Sequence, residues 1–144
     1  MIDVTTKTLD RITIRTDALD PITVIFDDFG EERGKMIVEC FGSAWSCFWG
    51  AMGTCSTKEF FLDAHNDYVI GKMVGETRQT DFDAVSEKLG YVVTTDAEIA
   101  IAADDMREAM GEEWYMDLPQ TETCEVTWLR NILNAIREAL GEER

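Results

Sequence analysis

Residues 35–53 constrain the fold of this chain more than any other stretch. They hold two of the four Trp, two of the seven Phe and two of the four Cys, with only two charged residues. Each aromatic ring buries about 150–250 Å² when enclosed, so this stretch belongs in a core. Apolar residues alternate over residues 36–41 and again over 44–49, with Gly42 between the two runs. Such alternation predicts strand and an isolated Gly predicts a bulge or turn, so we expect two strands or one long bent strand.

The residues before this stretch extend the prediction to a whole sheet. Residues 11–16 and 22–26 alternate in the same way. The acidic stretch 27–34 contains two Gly and predicts a hairpin loop that is too long for a two-residue turn. Together these segments predict an antiparallel meander of three or four strands over about residues 11–49.

The second part of the chain predicts helices. Ser56 and Thr95 each stand three residues before a Glu, the spacing of a capping box, and apolar residues recur at helical spacing after each of them. We expect four helices, over about residues 57–74, 80–89, 96–110 and 124–140. Residues 91–93 fit either a short edge strand or a buried connector. The predicted fold is a single α+β domain over residues 1–144, with the helices packed on one face of the sheet.

The net charge of −16 is the most informative property for function. The chain has 29 acidic and 13 basic residues, and residues 76–125 alone carry 14 acidic and three basic residues. A field of one sign this concentrated repels nucleic acid and anionic membranes and attracts basic surfaces. We therefore expect the partner to be a basic host protein or nucleoprotein complex.

Carboxylates gather at two places in the predicted fold, and both are candidate partner-binding sites. The first, the acidic ridge, lies on and just beyond the predicted helix 96–110 and comprises Asp104, Asp105, Glu108, Glu112, Glu113 and Asp117. The second, the hairpin tip, comprises Asp27, Asp28, Glu31 and Glu32. Duplex DNA carries one negative charge per about 1.7 Å, so rows of carboxylates can present a comparable field to a protein that binds phosphates. The simpler interpretation is a solvated face that keeps the protein soluble.

The residue pattern offers little for catalysis, metals or cofactors. His65 is the only His, and Asp63 and Asp67 lie two residues from it, about 200° away around a helix. The four Cys lack the Cys-x-x-Cys spacing, which favours free thiols over disulfides or structural zinc. The sequence contains no nucleophile elbow and no glycine-rich phosphate loop. We therefore expect no enzymatic activity, no metal and no cofactor, with an enzyme that relies on carboxylates as the weaker alternative.

Two further patterns concern partners and location. The aromatic residues of the stretch 35–53 could stack nucleic-acid bases, but a single Lys accompanies them, so core packing is the better interpretation and direct binding of nucleic acid is not expected. No apolar run approaches the length of about 18 residues that a membrane-spanning helix needs. The N-terminus lacks the pattern of a secretory signal, so we expect a cytoplasmic protein that does not bind membranes.

Residues 22–73 carry a resemblance to known proteins. The most specific part of the segment is Cys40-Phe41-Gly42, Trp45, Phe48-Trp49-Gly50 and Met52-Gly53. The segment resembles a pattern in small accessory proteins of tailed phages and prophages of enteric bacteria. The resemblance implies a phage product that acts in the cytoplasm of the bacterial host, where small acidic proteins often block defence nucleases or CRISPR surveillance complexes. It implies no particular activity and no catalytic residue.

The sequence leaves two interaction hypotheses of different kinds. The first is a phage-encoded inhibitor of a host nucleic-acid-binding defence complex, of the anti-CRISPR or anti-nuclease type, which binds the basic groove of that complex with its acidic surface. The second is a non-catalytic structural or regulatory phage protein that binds through an apolar patch, as a homodimer, with Trp114, Tyr115 and Trp128 as candidate residues. Steep sensitivity to salt would favour the first, and a dimer indifferent to salt would favour the second.

Overall fold

The computed structural model describes residues 1–141 of the chain. Their contacts divide the chain into two compact units. The sheet unit comprises Met1–Gly75 and the part of the chain from Glu125 onward, and the acidic unit comprises Glu76–Cys124. In chain order the elements are β1 (Ile12–Ile14), β2 (Ile22–Gly30), β3 (Arg33–Cys40), β4 (Ser43–Trp49), α1 (Thr57–Asp63), α2 (Asn66–Met73), β5 (Arg78–Thr80), α3 (Phe82–Leu89), α4 (Asp96–Ile101), α5 (Ala103–Met110), a 3₁₀ turn (Trp114–Met116), β6 (Gln120–Glu122) and α6 (Cys124–Gly141).

The sheet unit contains a four-stranded antiparallel meander in the order β1-β2-β3-β4. The predicted meander and the α+β fold class are confirmed. The interruption within residues 35–53 is a tight turn, because Phe41 and Gly42 have φ angles of 49° and 81° and lie between two paired strands. Positive φ at both central residues is the geometry of a two-residue turn that matches the twist of the strands. This stretch therefore forms two strands rather than one bent strand.

The turn between β2 and β3 differs from the expectation. The predicted long loop at residues 27–34 is wrong, because the strands extend until only Glu31 and Glu32 lie between them. Both residues have positive φ, 53° and 64°, which is uncommon for residues other than Gly, Asn or Asp. The turn is stabilised from outside the hairpin, since the Met52 N–H donates to the Glu32 carbonyl oxygen at 2.7 Å.

The residues that the structure describes form six helices rather than the four predicted. The predicted helix 57–74 is divided into α1 and α2 at Ala64 and His65, whose backbones are extended. The predicted helix 96–110 is divided into α4 and α5 at Ala102, with φ −85° and ψ 21°. Backbone hydrogen bonds continue on both sides of this second break, because the Ala102 N–H donates to Glu98 and the Met106 N–H donates to Ala102.

Arg137 of α6 accounts for the break between α1 and α2. Its guanidinium donates to the carbonyl oxygens of Phe61 and Leu62, at 2.9 and 3.1 Å, and to the side-chain oxygen of Asn66 at 2.7 Å. The last carbonyls of a helix have no partner within it, so an outside donor stabilises a helix end. The guanidinium also lies 4.2 Å from the centre of the Phe61 ring, and burial lowers the pKa of Arg137. One side chain of α6 thereby fixes where α1 ends.

One face of the sheet carries the core of the sheet unit. Trp45, Cys47 and Trp49 are each 5% exposed or less, as the alternation in β4 predicts. They belong to one apolar cluster with buried residues of α1, α2 and α6. Trp45 is further fixed by two contacts, because its indole N–H donates to Glu125 at 2.9 Å and its ring meets that of Trp128 edge-on at 5.1 Å.

The acidic unit has a smaller core of its own, formed by the buried residues Val85, Val93, Ile99 and Met106. Helices α3, α4 and α5 each contribute a buried residue to this core. Strands β5 and β6 pair antiparallel, and no sequence pattern predicts them because each is only three residues long. Residues 91–93 are a connector, in which the Ser86 hydroxyl accepts from the Val93 N–H at 2.9 Å and donates to the Val93 carbonyl oxygen at 3.1 Å.

Candidate partner-binding surface

Carboxylates dominate the surface of the acidic unit. Glu76–Cys124 holds 13 Asp and Glu and only three basic residues, Arg78, Lys88 and Arg107. Eleven of the 13 carboxylates are exposed. A small unit with ten more carboxylates than cations, most of them in solvent, carries a strong negative field.

The acidic ridge begins on α5. Asp104, Asp105 and Glu108 are exposed, while Met106 between them is fully buried. Successive side chains on a helix are about 100° apart, so these three carboxylates share the side of α5 that lies away from the core. Asp104 and Glu108 repel each other at the i, i+4 spacing, which costs about 0.2–0.5 kcal/mol. Asp104 and Asp105 lie in the first turn of α5, where the helix dipole favours negative charge and offsets part of that cost.

The remaining ridge residues follow the end of α5. Gly111, with φ 97°, ends the helix, and Glu112 and Glu113 come directly after it. Asp117 lies just beyond the 3₁₀ turn. All three carboxylates are exposed. The ridge therefore combines one helical side with two short irregular segments, and the structure describes all six of its residues.

Among the described residues, one cation forms ion pairs with the ridge carboxylates. Arg107 pairs with Asp104 and lies 4.0 Å from Glu112. Both of these carboxylates stay about 90% or more exposed in their side chains, so the pairs are weak and screened. Within residues 1–141, the other four ridge carboxylates form no ion pair. Arg107 thus leaves most of the ridge charge uncompensated.

Asp105 is positioned by a tyrosine. The Tyr91 hydroxyl donates to the Asp105 carboxylate at 2.6 Å. This hydrogen bond raises the pKa of Tyr91, because the deprotonated form would lose it and would face a negative neighbour. Both residues line an open cleft of about 350 Å³ that Lys88 and Glu108 also border. The contact fixes the direction of one ridge carboxylate without removing its charge.

Most carboxylates of the hairpin tip make contacts within the sheet unit. Asp28 accepts hydrogen bonds from the N–H and the hydroxyl of Thr57, at 2.7 and 2.5 Å, and these bonds lower the pKa of Asp28. Asp27 pairs with Lys7 at 2.6 Å, and Glu31 lies 3.3 Å from Arg33. Three of the four carboxylates are therefore engaged within the sheet unit. Binding of a partner by the hairpin tip stays a prediction.

Several other features of residues 1–141 concern chemistry and location. No group of three or more His, Cys, Asp or Glu in this part of the chain is placed to hold a metal ion. Cys40 and Cys47 are buried free thiols, and burial raises the pKa of Cys47 to about 11. His65 precedes α2 and makes no capping hydrogen bond with its side chain. None of the helices here combines the length and the apolar character needed to cross a membrane.

The predicted apolar patch does not lie on one unit. Trp114 and Tyr115 belong to the acidic unit, where Tyr115 is 62% exposed, and Trp128 belongs to the sheet unit, where it packs on Trp45. Sequence reasoning missed another apolar surface. On the sheet, the rings of Phe29 and Phe48 stack with centres 5.9 Å apart and are 43% and 46% exposed. The alternation in β4 could have indicated this, since it places Phe48 opposite the buried Trp residues.

Comparison with known proteins assigns the chain to a family. A family model described as a phage family matches residues 2–142, which is nearly the whole chain. The chain belongs to this phage family. No curated protein and no solved structure matches the phage protein. The match covers residues of both units, and the phage origin implied by the resemblance is confirmed.

Proposed function

We propose that this phage protein is a non-catalytic inhibitor of a host nucleic-acid-binding defence complex, of the anti-CRISPR or anti-nuclease type, and that the acidic ridge occupies the basic groove of its target. The observation that carries the proposal is the segregation of charge. Thirteen carboxylates and three cations share one unit of 49 residues, and most of the carboxylates are exposed. Protein folding alone does not require that imbalance, because the core of this unit is apolar.

The spacing of the ridge supports imitation of a phosphate backbone. Asp104, Asp105 and Glu108 span four residues of helix, which is about 6 Å at 1.5 Å per residue. The ridge therefore presents roughly one charge per 2–3 Å along α5, compared with about 1.7 Å in duplex DNA. A groove lined with Lys and Arg to bind nucleic acid would experience a field of similar strength from either ligand. Unlike DNA, the ridge has no base edges. Its binding would therefore not depend on which nucleotide sequence the target prefers.

The salt dependence of binding tests this proposal. The tagged phage protein is used to capture partners from a lysate of its bacterial host in about 0.1 M and about 0.5 M salt, where the screening length falls from about 10 Å to about 4 Å. We expect capture of a nucleic-acid-binding protein or complex that is released at the higher salt. Added duplex DNA or RNA should displace the captured partner, because both ligands would occupy one groove. A partner that stays bound in both salts and ignores nucleic acid would refute the proposal.

A second function is favoured by exposed apolar residues. Tyr115 and Met116 of the 3₁₀ turn are 62% and 69% exposed. Such residues suit a structural or regulatory phage protein that binds through an apolar patch. The same capture experiment separates the two functions, because apolar binding persists or strengthens as salt rises.

A further inference from the structure

One face of the four-stranded sheet lies opposite the core that the sheet forms with α1, α2 and α6. Nine side chains of this open face lie on the regularly paired parts of β2, β3 and β4, namely Thr23, Ile25, Asp27, Lys35, Ile37, Glu39, Ala44, Ser46 and Phe48. Phe29, at the irregular end of β2, stacks on Phe48 beside them. None of them belongs to the apolar cores of the described residues. Ile25 and Ile37 are neighbours at the centre of this face and are partly exposed, and Phe48 is 46% exposed. The face is therefore an apolar surface with charges around its centre.

The strand register arranges the nine side chains in three rows that run across the strands. The first row is Asp27, Lys35 and Phe48. The middle row is Ile25, Ile37 and Ser46. The third row is Thr23, Glu39 and Ala44. On each strand, the residue of the first row complements the residue of the third row in charge, size or hydrogen bonding.

We propose that the open face binds a second copy of this chain, in a two-fold symmetric dimer whose axis crosses the strands at the middle row. A two-fold axis that lies in the interface and perpendicular to the strands turns the first row of one copy onto the third row of the other. Lys35 then faces Glu39 of the second copy, and Glu39 faces its Lys35. Two opposite-charge pairs form, one on each side of Ile37. Ile37 itself meets Ile37 of the second copy.

The same symmetry matches the other members of the rows. Phe48, the largest side chain on the face, meets Ala44, one of the smallest. Asp27, which also pairs with Lys7 of its own chain, meets Thr23, whose hydroxyl can donate to the carboxylate. Sheets that pack face to face stay about 10 Å apart, close enough for these side chains to interdigitate. Each position therefore finds a partner that suits its size or charge.

The alternative symmetry of two packed sheets is disfavoured by charge. An axis parallel to the strands would turn each row onto itself, so Lys35 would meet Lys35 and Glu39 would meet Glu39. Like charges facing each other across an interface oppose association. The positions of one lysine and one glutamate on β3 thus select a single orientation for the second copy.

The size of the face sets the expected strength of the dimer. Strands lie about 4.8 Å apart and residues on one face of a strand about 6.8 Å apart, so nine positions cover roughly 300 Å². A standard interface buries about 800 Å² on each partner. We therefore expect a weak dimer with a dissociation constant of roughly 10–1,000 µM. This proposal is independent of the acidic ridge, whose residues lie in the other unit.

Charge exchange on β3 tests the dimer and its orientation together. Lys35→Glu and Glu39→Lys each convert two attractive contacts into two repulsive ones, so sedimentation equilibrium should show each variant dimerising roughly tenfold or more weakly than the natural chain. Mixing the two variants should restore association as a heterodimer, because Glu at position 35 of one copy then faces Lys at position 39 of the other, and the reverse pair also has opposite charges. Lys72→Glu, an exposed change on α2, is the matched control and should leave the dimer unchanged.

A second measurement uses only the natural protein, so it does not depend on whether the variants fold. Dilution of the natural protein from about 1 mM to about 5 µM spans the expected range of the dissociation constant, and amide NMR shifts should change on β2, β3 and β4 around Ile25, Ile37 and Ser46. A chain that stays monomeric at the highest concentration overturns the proposal. A dimer that survives both single variants, or shifts confined to other elements, shows that a different surface associates. Failure of the mixed, folded variants to associate rules out this orientation.

Discussion

Removal of the Asp28 carboxylate should destabilise the sheet unit, although Asp28 lies on an exposed hairpin. Its carboxylate joins β2 to the start of α1 by accepting from the N–H and the hydroxyl of Thr57, which is fully buried. Asp28→Ala would leave two donors without this acceptor, and a buried unsatisfied group costs about 1–3 kcal/mol. The Thr57 hydroxyl keeps only a long contact to the Asp27 carbonyl oxygen, at 3.5 Å. Because water reaches Asp28 and offsets part of the loss, we expect the free energy of unfolding to fall by about 1.5–3 kcal/mol.

Urea unfolding followed by Trp fluorescence at pH 7 measures this loss. Glu32→Gln, a change of one exposed carboxylate in the same hairpin, is the matched control and should alter stability by less than about 0.5 kcal/mol. In a Thr57→Val background the cost of Asp28→Ala should shrink, because the hydroxyl that needs the acceptor is gone. Equal effects of Asp28→Ala and Glu32→Gln would contradict the structural role of Asp28.

The same contact predicts a dependence on pH with a definite sign. The hydrogen bonds from Thr57 lower the pKa of Asp28 in the folded protein. A carboxylate with a lowered folded pKa contributes stability that is fully present above its unfolded pKa, about 3.9, and is lost as the pH falls through the folded pKa. The stability difference between the natural chain and Asp28→Ala should therefore be constant from pH 7 down to about 5 and shrink below about pH 4. A difference that grows on acidification would contradict this reasoning.

Two further substitutions test other contacts of the sheet unit, each with a control. Arg137→Met should lower the free energy of unfolding by about 2–4 kcal/mol, because the Leu62 carbonyl loses the Arg137 donor and the Phe61 carbonyl keeps only the Ala64 N–H. Arg130→Met, which alters an exposed ion pair, should cost about 0–1 kcal/mol. Similar costs for the two variants would argue against the role of Arg137 at the α1–α2 break. Gly34→Ala should cost about 3 kcal/mol or more, because its Cβ would lie 2.0 Å from the hydroxyl oxygen of buried Thr57. Gly71→Ala, in open space on α2, should instead stabilise by about 0.5–1 kcal/mol, and a harmless Gly34→Ala would contradict the packing at Thr57.

Local patterns predicted the strands well because each strand of the sheet buries one face. The alternation that placed Trp45, Cys47 and Trp49 inward is also the observed arrangement. The same local rules failed where a distant residue decides the structure. Arg137, 76 residues from Phe61, ends α1, and nothing within residues 57–74 indicates that. The Glu31-Glu32 turn likewise depends on a hydrogen bond from Met52.

The candidate site was predictable to a similar extent. Helical spacing alone places Asp104, Asp105 and Glu108 on the side of α5 away from Met106, and the structure has them there. The contacts that the hairpin-tip carboxylates make within the fold could not be predicted, because Asp28 and Thr57 are 29 residues apart in the sequence. Composition could count carboxylates, but it could not separate those that serve the fold from those left for a partner.

Binding of a host partner by matched-charge variants tests the central claim most directly. The ridge variant carries Asp104→Asn, Asp105→Asn, Glu108→Gln and Glu112→Gln, and the control variant carries Glu76→Gln, Asp83→Asn, Glu87→Gln and Asp96→Asn. Both remove four exposed carboxylates from the acidic unit, so their net charges are equal. If the ridge binds a basic groove, the ridge variant should lose most of the partner captured in about 0.1 M salt, while the control variant keeps it. Equal capture by the two variants would show that no localised acidic surface is recognised.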